Sequence, residues 1–286
     1  MKEALAKGDT VIAPGAWDAI TARLFRHMGF NALYISAFEA GVVLGSSAPL
    51  TTLTELAMVT ERVSEGVQDR VPLIVDAGPG FGDAIQVTRM VEVLEDAGAT
   101  ALQLDDQVFP MRAASLRGEL DVVPVELFEQ RIAYAVKARR SADCLIIATT
   151  EALGGQGRDE ALKRANTAIE AGADVVAVSG LEDEEAHRWF RERVKDVPML
   201  ASAGFGPLGV NELRSLGYQL IVYPDLSILT SLGGVYDTWK SVVDTGHLLP
   251  QRPESMQIIN KLLELEEKWA VESATTEAVS PAPAGR

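Results

Sequence analysis

The 286-residue chain predicts a single α/β domain, a (β/α)8 TIM barrel with an extra C-terminal helix, and three observations carry that prediction. Short apolar segments rich in β-branched residues alternate eight times with amphipathic stretches of helical length, the pattern of repeated βα units around a parallel sheet. A barrel of this kind usually takes about 250 residues, so one of them accounts for the chain. Four helical stretches end in Gly29, Gly98, Gly172 and Gly217, each followed by two residues and then a strand, and always ahead of an even-numbered strand. Glycine suits the left-handed position that ends a helix. The shared phase of these four sites favours a barrel over a doubly wound sheet.

The strands are expected at Thr10–Ala13, Ala32–Ser36, Leu73–Asp76, Ala101–Leu104, Leu145–Ala148, Val175–Val178, Met199–Ala201 and Leu220–Tyr223. Several are apolar throughout, as a strand covered on both faces must be. Residues 1–250 form the expected barrel. Within 251–272, Pro253–Val271 reads as a helix with Met256, Ile259, Leu262, Leu263 and Trp269 on one stripe, which needs the barrel or a neighbouring subunit to bury against. Residues 273–286 turn to Ser, Thr, Ala, Pro and Gly and are expected to form a disordered tail.

Composition narrows the function. Lys and Arg total 26 against 41 Asp and Glu, a net charge of −15 that repels nucleic acid and anionic membranes. No apolar run reaches the roughly 18 residues of a membrane span. One cysteine makes no internal disulfide, and the N-terminus lacks the order of a secretion signal, so a cytoplasmic location is expected.

Barrels place their chemistry at the C-terminal ends of the strands. Asp76 and Asp105 end neighbouring strands, where their carboxylates could approach one hydrated cation; magnesium commonly takes one or two carboxylates and keeps several waters. Asp76 could equally be a turn former. Two adjacent acids, Asp105 and Asp106, repel each other, which suggests that one meets a cation or an arginine. Glycine-rich loops follow strands three (Gly78–Gly82) and seven (Gly204–Gly209), and the second keeps a phosphorylated ligand in view. Strand ends also offer Trp17, Tyr34, Ser36, Ala37, Phe38, Gln107, Thr149, Glu151, Ser179, Ser202 and Tyr223 as substrate contacts, while Arg112, Arg117 and Arg158 lie in long loops able to act as lids. The three histidines, His27, His187 and His247, fall at no strand end, so a surface or helix-end role is expected of them. Cys144 is expected to be a buried small apolar residue.

Taken in order, the strand ends resemble the isocitrate lyase and phosphoenolpyruvate mutase superfamily, in its methylisocitrate lyase-like branch. The resemblance runs from about Val11 to Val243 and rests on the segments beginning at Ala13 (Ala-Pro-Gly-Ala-Trp-Asp), Ala32 (Ala-Leu-Tyr-Ile-Ser), Leu50 (Leu-Thr-Thr-Leu-Thr-Glu), Val75 (Val-Asp-Ala-Gly-Pro-Gly-Phe-Gly), Leu104 (Leu-Asp-Asp-Gln-Val-Phe-Pro), Glu170 (Glu-Ala-Gly-Ala-Asp) and Val222 (Val-Tyr-Pro). It implies a homo-oligomer, tetramer or dimer, with the last helices swapped between subunits. It further implies Mg2+-assisted chemistry, with Mn2+ as substitute, on small 2-oxo or 2-hydroxy acids through an enolate-like intermediate. In that picture Ser36 and Ala37 bind the oxo-acid portion, and Asp76 and Asp105 hold the hydrated metal.

The departures carry as much information. The family's second metal-associated acid is Gly78; the lid cysteine and histidine are lost within Met111, Arg112, Ala113, Ala114 and Ser115; an arginine after strand five is replaced where Thr149, Thr150 and Glu151 stand; an acid after strand six is Ser179; and an asparagine after strand seven is Ser202. So depleted a pocket does not suit a tricarboxylate. The expected function is a divergent lyase that breaks a carbon–carbon bond or decarboxylates a small acid other than isocitrate or methylisocitrate. In that reading Asp76, Asp105, Glu151 and Tyr34 are catalytic, with Glu151 as a possible base. Two alternatives stand beside it: a phosphonate- or phosphate-related mutase or hydrolase, and a non-catalytic ligand-binding protein on the same fold.

Overall fold

A computed structural model describes residues 1–68, 71–112, 121–195, 197–204, 206–250 and 254–279, with side chains to residue 275. Eight strands alternate with helices: β1 (Val11–Pro14), β2 (Leu33–Ile35), β3 (Leu73–Asp76), β4 (Ala101–Asp105), β5 (Leu145–Thr150), β6 (Val175–Val178), β7 (Met199–Ser202) and β8 (Leu220–Tyr223). Every strand pair is parallel, and the sheet runs β1-β8-β7-β6-β5-β4-β3-β2. A parallel bridge between Gly15 and Tyr34 joins its two edges, with the Ala16 amide donating to the Tyr34 carbonyl at 2.8 Å. The expected (β/α)8 barrel is therefore the observed one.

Helices α1 (Lys2–Ala6), α2 (Ala19–His27), α3 (Ala37–Val43), α4 (Leu53–Val67), α5 (Ala84–Asp96), α6 (Val125–Ala138), α7 (Ala152–Glu170), α8 (Glu184–Arg193) and α9 (Val210–Ser215) precede or connect the strands. Gly29, Gly98, Gly172 and Gly217 all adopt φ between 88° and 104°, the left-handed helix ends read from the sequence. Five of the strands, β1, β2, β4, β5 and β7, differ from their expected bounds by one or two residues, two of them for local reasons. Ser36 leaves β2 because its hydroxyl caps α3, accepting the amides of Phe38 and Glu39. β5 runs on through Thr149 and Thr150 because both pair in register with β6.

Two apolar layers hold the barrel. Inside it lie Val11, Ala13, Tyr34, Ile74, Ala101, Leu145, Ile147, Val175, Ala177, Leu200, Leu220 and Val222, with Leu5 of α1 beneath them. Between strands and helices packs a larger layer that includes Leu33, Ile35, Leu73, Val75, Leu102, Leu104, Ile146, Phe128 and Phe190. Side chains alternate across a strand. Continuing the inward parity past the apolar layers therefore brings Ser36, Asp76, Gln103, Asp105, Thr149, Glu151, Ser179 and Ser202 to the top of the barrel.

Two compact units divide the chain, one of residues 1–231 and one from 232 onward. In the second, α10 (Leu226–Thr245, which begins in the first unit) is followed by α11 (Ser255–Leu262) and α12 (Leu265–Val279). The helix expected at Pro253–Val271 is thus two helices, parted at Glu264, which has a left-handed φ of 54°. α12 also carries helical structure to Val279, into the segment expected to be a disordered tail; residues 280–286 lie outside the described residues. Among the described residues no helix is long and apolar enough to cross a membrane.

Candidate active site

A cleft of about 250 Å³ opens at the C-terminal ends of the strands. Tyr34, Ser36, Ala37, Phe38, Asp76, Gln107, Asp105, Thr149, Glu151, Ser179 and Ser202 all line it, so eleven of the expected site residues converge on one hollow. Three do not. Arg112 is exposed and pairs with Asp121 at 2.6 Å, its guanidinium drawn to the nearest acid on the surface. Tyr223 is half-buried with its ring edge against Gly204, and Trp17 is half-buried in the turn before α2; neither lines the cleft.

Of the two adjacent acids, Asp106 meets the arginine. It is fully buried and bridges three elements: Oδ2 accepts the Thr150 hydroxyl at 2.6 Å and Arg164 Nη1 at 3.2 Å, while Oδ1 accepts the Glu151 amide at 2.8 Å. Removing one member of a buried pair leaves an uncompensated charge, so this contact fixes the start of α7 and with it Glu151. Asp105 faces the other way, into the cleft. Its Oδ1 accepts the Gln107 amide N–H at 2.9 Å and its Oδ2 accepts Gln107 Nε2 at 2.7 Å.

Asp76 accepts the Gly78 N–H at 3.0 Å, the turn-forming contact, and it also lies against the Tyr34 hydroxyl, which donates to Gln103 Oε1 at 3.1 Å. Turn former and cleft acid are therefore the same residue. Ser36 donates to Asp225 Oδ1 at 2.8 Å. Behind it sits Glu39, fully buried, neither carboxyl oxygen having a partner. A Cβ on Gly15 would stand 2.6 and 2.7 Å from those oxygens and 2.2 Å from the Pro224 carbonyl oxygen, so only glycine fits there.

Burial without counter-charge governs the electrostatics. It pushes Asp76 up to about 6, partly offset by the Gly78 amide, and Glu151 up to about 7 against a hydrogen bond with Ser179. Glu39 rises to about 9, first by burial and then by the charge of Asp225. Asp105 is raised well above the carboxylate range by burial and by Glu151, and Tyr34 stays a protonated phenol. Among the described residues no basic side chain lines the cleft. The buried cations nearest these acids are committed elsewhere: Arg164 to Asp106, and Arg131 to the Gln107 carbonyl at 2.7 Å.

Two cleft carboxylates without a fixed counter-charge, Asp76 and the buried Asp105, suit a cation. Among the described residues no three acidic, histidine or cysteine side chains stand close enough to hold a bare one. A magnesium ion that keeps most of its waters fits such a pair. At Gly78, where the resemblance places another acid, a Cβ would meet only Met111 Sδ at 3.4 Å and Asp105 Oδ2 at 3.8 Å, so that side of Asp105 faces open space and a thioether.

Sequence reasoning did not assign Gln103, Glu39, Asp225, Arg131 or Arg164. The inward parity of β4, shared by Ala101, Gln103 and Asp105, marks Gln103. Glu39 reads in sequence as an ordinary first-turn helix acid. His187 differs from its expected surface role: it is buried, with Nδ1 2.9 Å from the Tyr218 hydroxyl. Cys144 is buried as expected, Arg158 pairs with Glu185 on the surface, and Arg117 lies outside the described residues.

Comparison with known proteins agrees with the fold and gives the family. The sequence profile of the phosphoenolpyruvate phosphomutase family covers residues 1–243. A 2-methylisocitrate lyase of Aeropyrum pernix is 39% identical over 251 residues, 86% of this chain and 80% of that protein. A 2,3-dimethylmalate lyase of Eubacterium barkeri is 35% identical over 247 residues, 85% of this chain and 84% of that protein. The trigonal crystal structure of a 2,3-dimethylmalate lyase superposes with a TM-score of 0.86 at 26% identity, covering 100% of this chain and 97% of the other. A phosphonopyruvate hydrolase in complex with oxalate and Mg++ reaches 0.83 at 26% identity, covering 95% and 96%.

Proposed function

The chain belongs to the phosphoenolpyruvate phosphomutase family, and from that premise we propose that it is a carbon–carbon lyase cleaving a small 2-hydroxy dicarboxylate with alkyl arms, of the 2,3-dimethylmalate kind, into a 2-oxo acid and a carboxylic acid. The observation that carries this reading is the pair of cleft acids, Asp76 and Glu151, held at about 6 and about 7. Groups poised near neutral pH are what proton transfer requires. A ligand-binding shell that had lost its chemistry would have no use for two such acids.

In the proposed step Glu151 takes the proton of the substrate 2-hydroxyl. The C2–C3 bond breaks, C2 becomes the carbonyl of the 2-oxo acid, and the electron pair passes to C3 as the enolate of the departing carboxylate. Tyr34 donates a proton to C3 and regains one through Asp76. Ser36 and the Ala37 amide hold the oxo-acid end, and the buried Thr149 hydroxyl, which has no partner, takes a substrate oxygen. Asp76 and Asp105 would hold a magnesium ion, or manganese in its place, through its waters; when bound, the ion supplies the positive charge that stabilises the developing negative oxygens.

Substrate choice follows from charge. A third carboxylate would lie near Thr149 and Glu151 with no cation to meet it, and burying an unpaired carboxylate costs several kcal/mol. Phe38, Ala48, Met111, Val178 and Leu200 on the walls accept alkyl groups instead. Phosphoryl chemistry needs cationic clamps, which the described lining lacks, and this argues against the phosphonate reading.

The test is release of 2-oxo acid, read by a coupled nicotinamide-dependent reductase, from 2,3-dimethylmalate, methylisocitrate and isocitrate with Mg2+, alongside phosphate release from phosphonopyruvate. We expect turnover of the alkyl-substituted dicarboxylate and none of the tricarboxylates. Methylisocitrate as the best substrate would overturn the charge argument, and phosphate release would move the protein to the alternative chemistry.

For assembly, the exposed side chains of α10 include Leu229, Leu232, Tyr236, Trp239 and Val243, spaced three and four residues apart. That is the seam by which a helix packs against another. In this reading a second copy of the chain covers it, giving the homo-oligomer that the family resemblance implies. Trp239→Glu should lower the mass measured by light scattering after gel filtration; an unchanged mass would remove α10 from the interface.

A further inference from the structure

Gln107 touches Asp105 twice and is itself anchored once. Its backbone N–H reaches Asp105 Oδ1 at 2.9 Å, its Nε2 reaches Oδ2 at 2.7 Å, and its carbonyl accepts Arg131 Nη1 at 2.7 Å from a guanidinium that is itself buried. The backbone of residue 107 is further held by a bridge between Gln107 and Val122 and by Val123 N–H donating to the Asp106 carbonyl at 2.8 Å. Only the side chain is free to move. It also lines the cleft, while the position beside Asp105 Oδ2 is left open by Gly78.

We propose that Gln107 is a positioning residue that exchanges partners: with the cleft empty its amide occupies Asp105 Oδ2, and a hydrated divalent cation binds there only as the amide swings away to donate to the substrate carboxylate. The inference rests on the lyase reading only for the second half of that exchange. Several facts support it. The amide and a cation's water compete for the same oxygen. Arg131 keeps the backbone amide on Oδ1, so Asp105 never loses both donors at once. With Gly78 in place of an acid, the open side of Asp105 Oδ2 offers a cation no further carboxylate. Cation and substrate would then bind with positive coupling.

The experiment measures Mn2+ binding to the metal-stripped protein, without substrate, from the paramagnetic resonance signal of the free ion. Gln107→Leu keeps the side chain's bulk without its amide, and Gln107→Asn shortens its reach; the second serves if the first fails to fold. Both are expected to bind Mn2+ roughly tenfold more tightly than the parent, the loss of one competing hydrogen bond. Adding a non-cleavable 2-hydroxy dicarboxylate should tighten Mn2+ binding to the parent but not to the variants. Unchanged or weaker Mn2+ binding in the variants, or no binding to any of the three proteins, would overturn the proposal. Because product release is not part of this readout, failure of the lyase reading would show separately, in the substrate panel.

Discussion

Replacing Glu151 by glutamine is expected to lower kcat about 10²- to 10⁴-fold, the contribution of a positioned base, while KM changes little and the fold keeps its stability. Three features make this the largest effect on activity. Glu151 sits at the N-terminus of α7, where its backbone N–H is tied to Asp106 and its carboxyl is turned into the cleft beside Ser179, so glutamine would occupy the same place and keep a hydrogen bond to that hydroxyl. Burial, with added repulsion from Asp106 and Asp76, brings the carboxyl up to about 7, so ionisation of a single group separates the competent from the incompetent base. The parent kcat should therefore rise with pH through about 7 and level off above it. The residual activity of the variant should lack that limb. Removing a buried acid also relieves a cost to folding above its ordinary pKa, so the variant should unfold at the same temperature as the parent or higher at pH 8, the usual trade between stability and activity. A kcat within a few-fold of the parent would remove Glu151 as the base.

Much of this site is legible in the sequence because it follows from parity. Once eight strands are located, the polar residues at or just after their C-terminal ends are the candidates, and Asp76, Asp105, Thr149, Ser179 and Ser202 were found in that way; inward parity is why they converge. The same rule fails where the chain leaves the strand. Trp17 and Arg112 stand after strand ends, where loop conformation rather than alternation sets their direction, and Arg112 turns to Asp121; Tyr223 ends β8 with outward parity, next to inward Val222. Partners brought by distant helices are less visible still. Nothing in the sequence around Arg164 or Arg131 says that one is spent on Asp106 and the other on the Gln107 carbonyl, because the contacts span 58 and 24 residues. That the cleft is left without a fixed cation could be seen only after both were placed. At the C-terminal end, a continuous apolar stripe concealed the break at Glu264, since a period of 3.6 constrains which residues share a face and says little about where a left-handed residue divides them.

Glu39 should make the protein lose stability as pH rises, and Glu39→Gln should remove most of that loss. Its carboxyl has an ordinary value of 4.5 in the unfolded chain and about 9 in the fold, so between those values the native state binds the extra proton. The sign follows: where the folded state holds more protons, stability falls with each rise in pH, by up to about 1.4 kcal/mol per unit. This contribution is fully present below about 4.5 and lost as pH climbs to about 9. Burial is the first cause. The acid is packed against Gly15 with neither oxygen bonded, and the neighbouring Asp225 opposes its charge as well. Glutamine has the same shape and cannot ionise. Denaturant unfolding of the two proteins at pH 6 and pH 9 is the measurement: an advantage for the variant that is modest at pH 6 and widens towards pH 9 is expected, whereas parallel losses would mean that Glu39 ionises freely in the fold. Glu39→Ala serves as the control for packing, since a cavity destabilises at both pH values alike. Glu39 lies beside Gly15, which follows β1, on the helix that Ser36 caps at the end of β2, so a neutral side chain there keeps a negative charge from standing behind the place where an anionic substrate would bind.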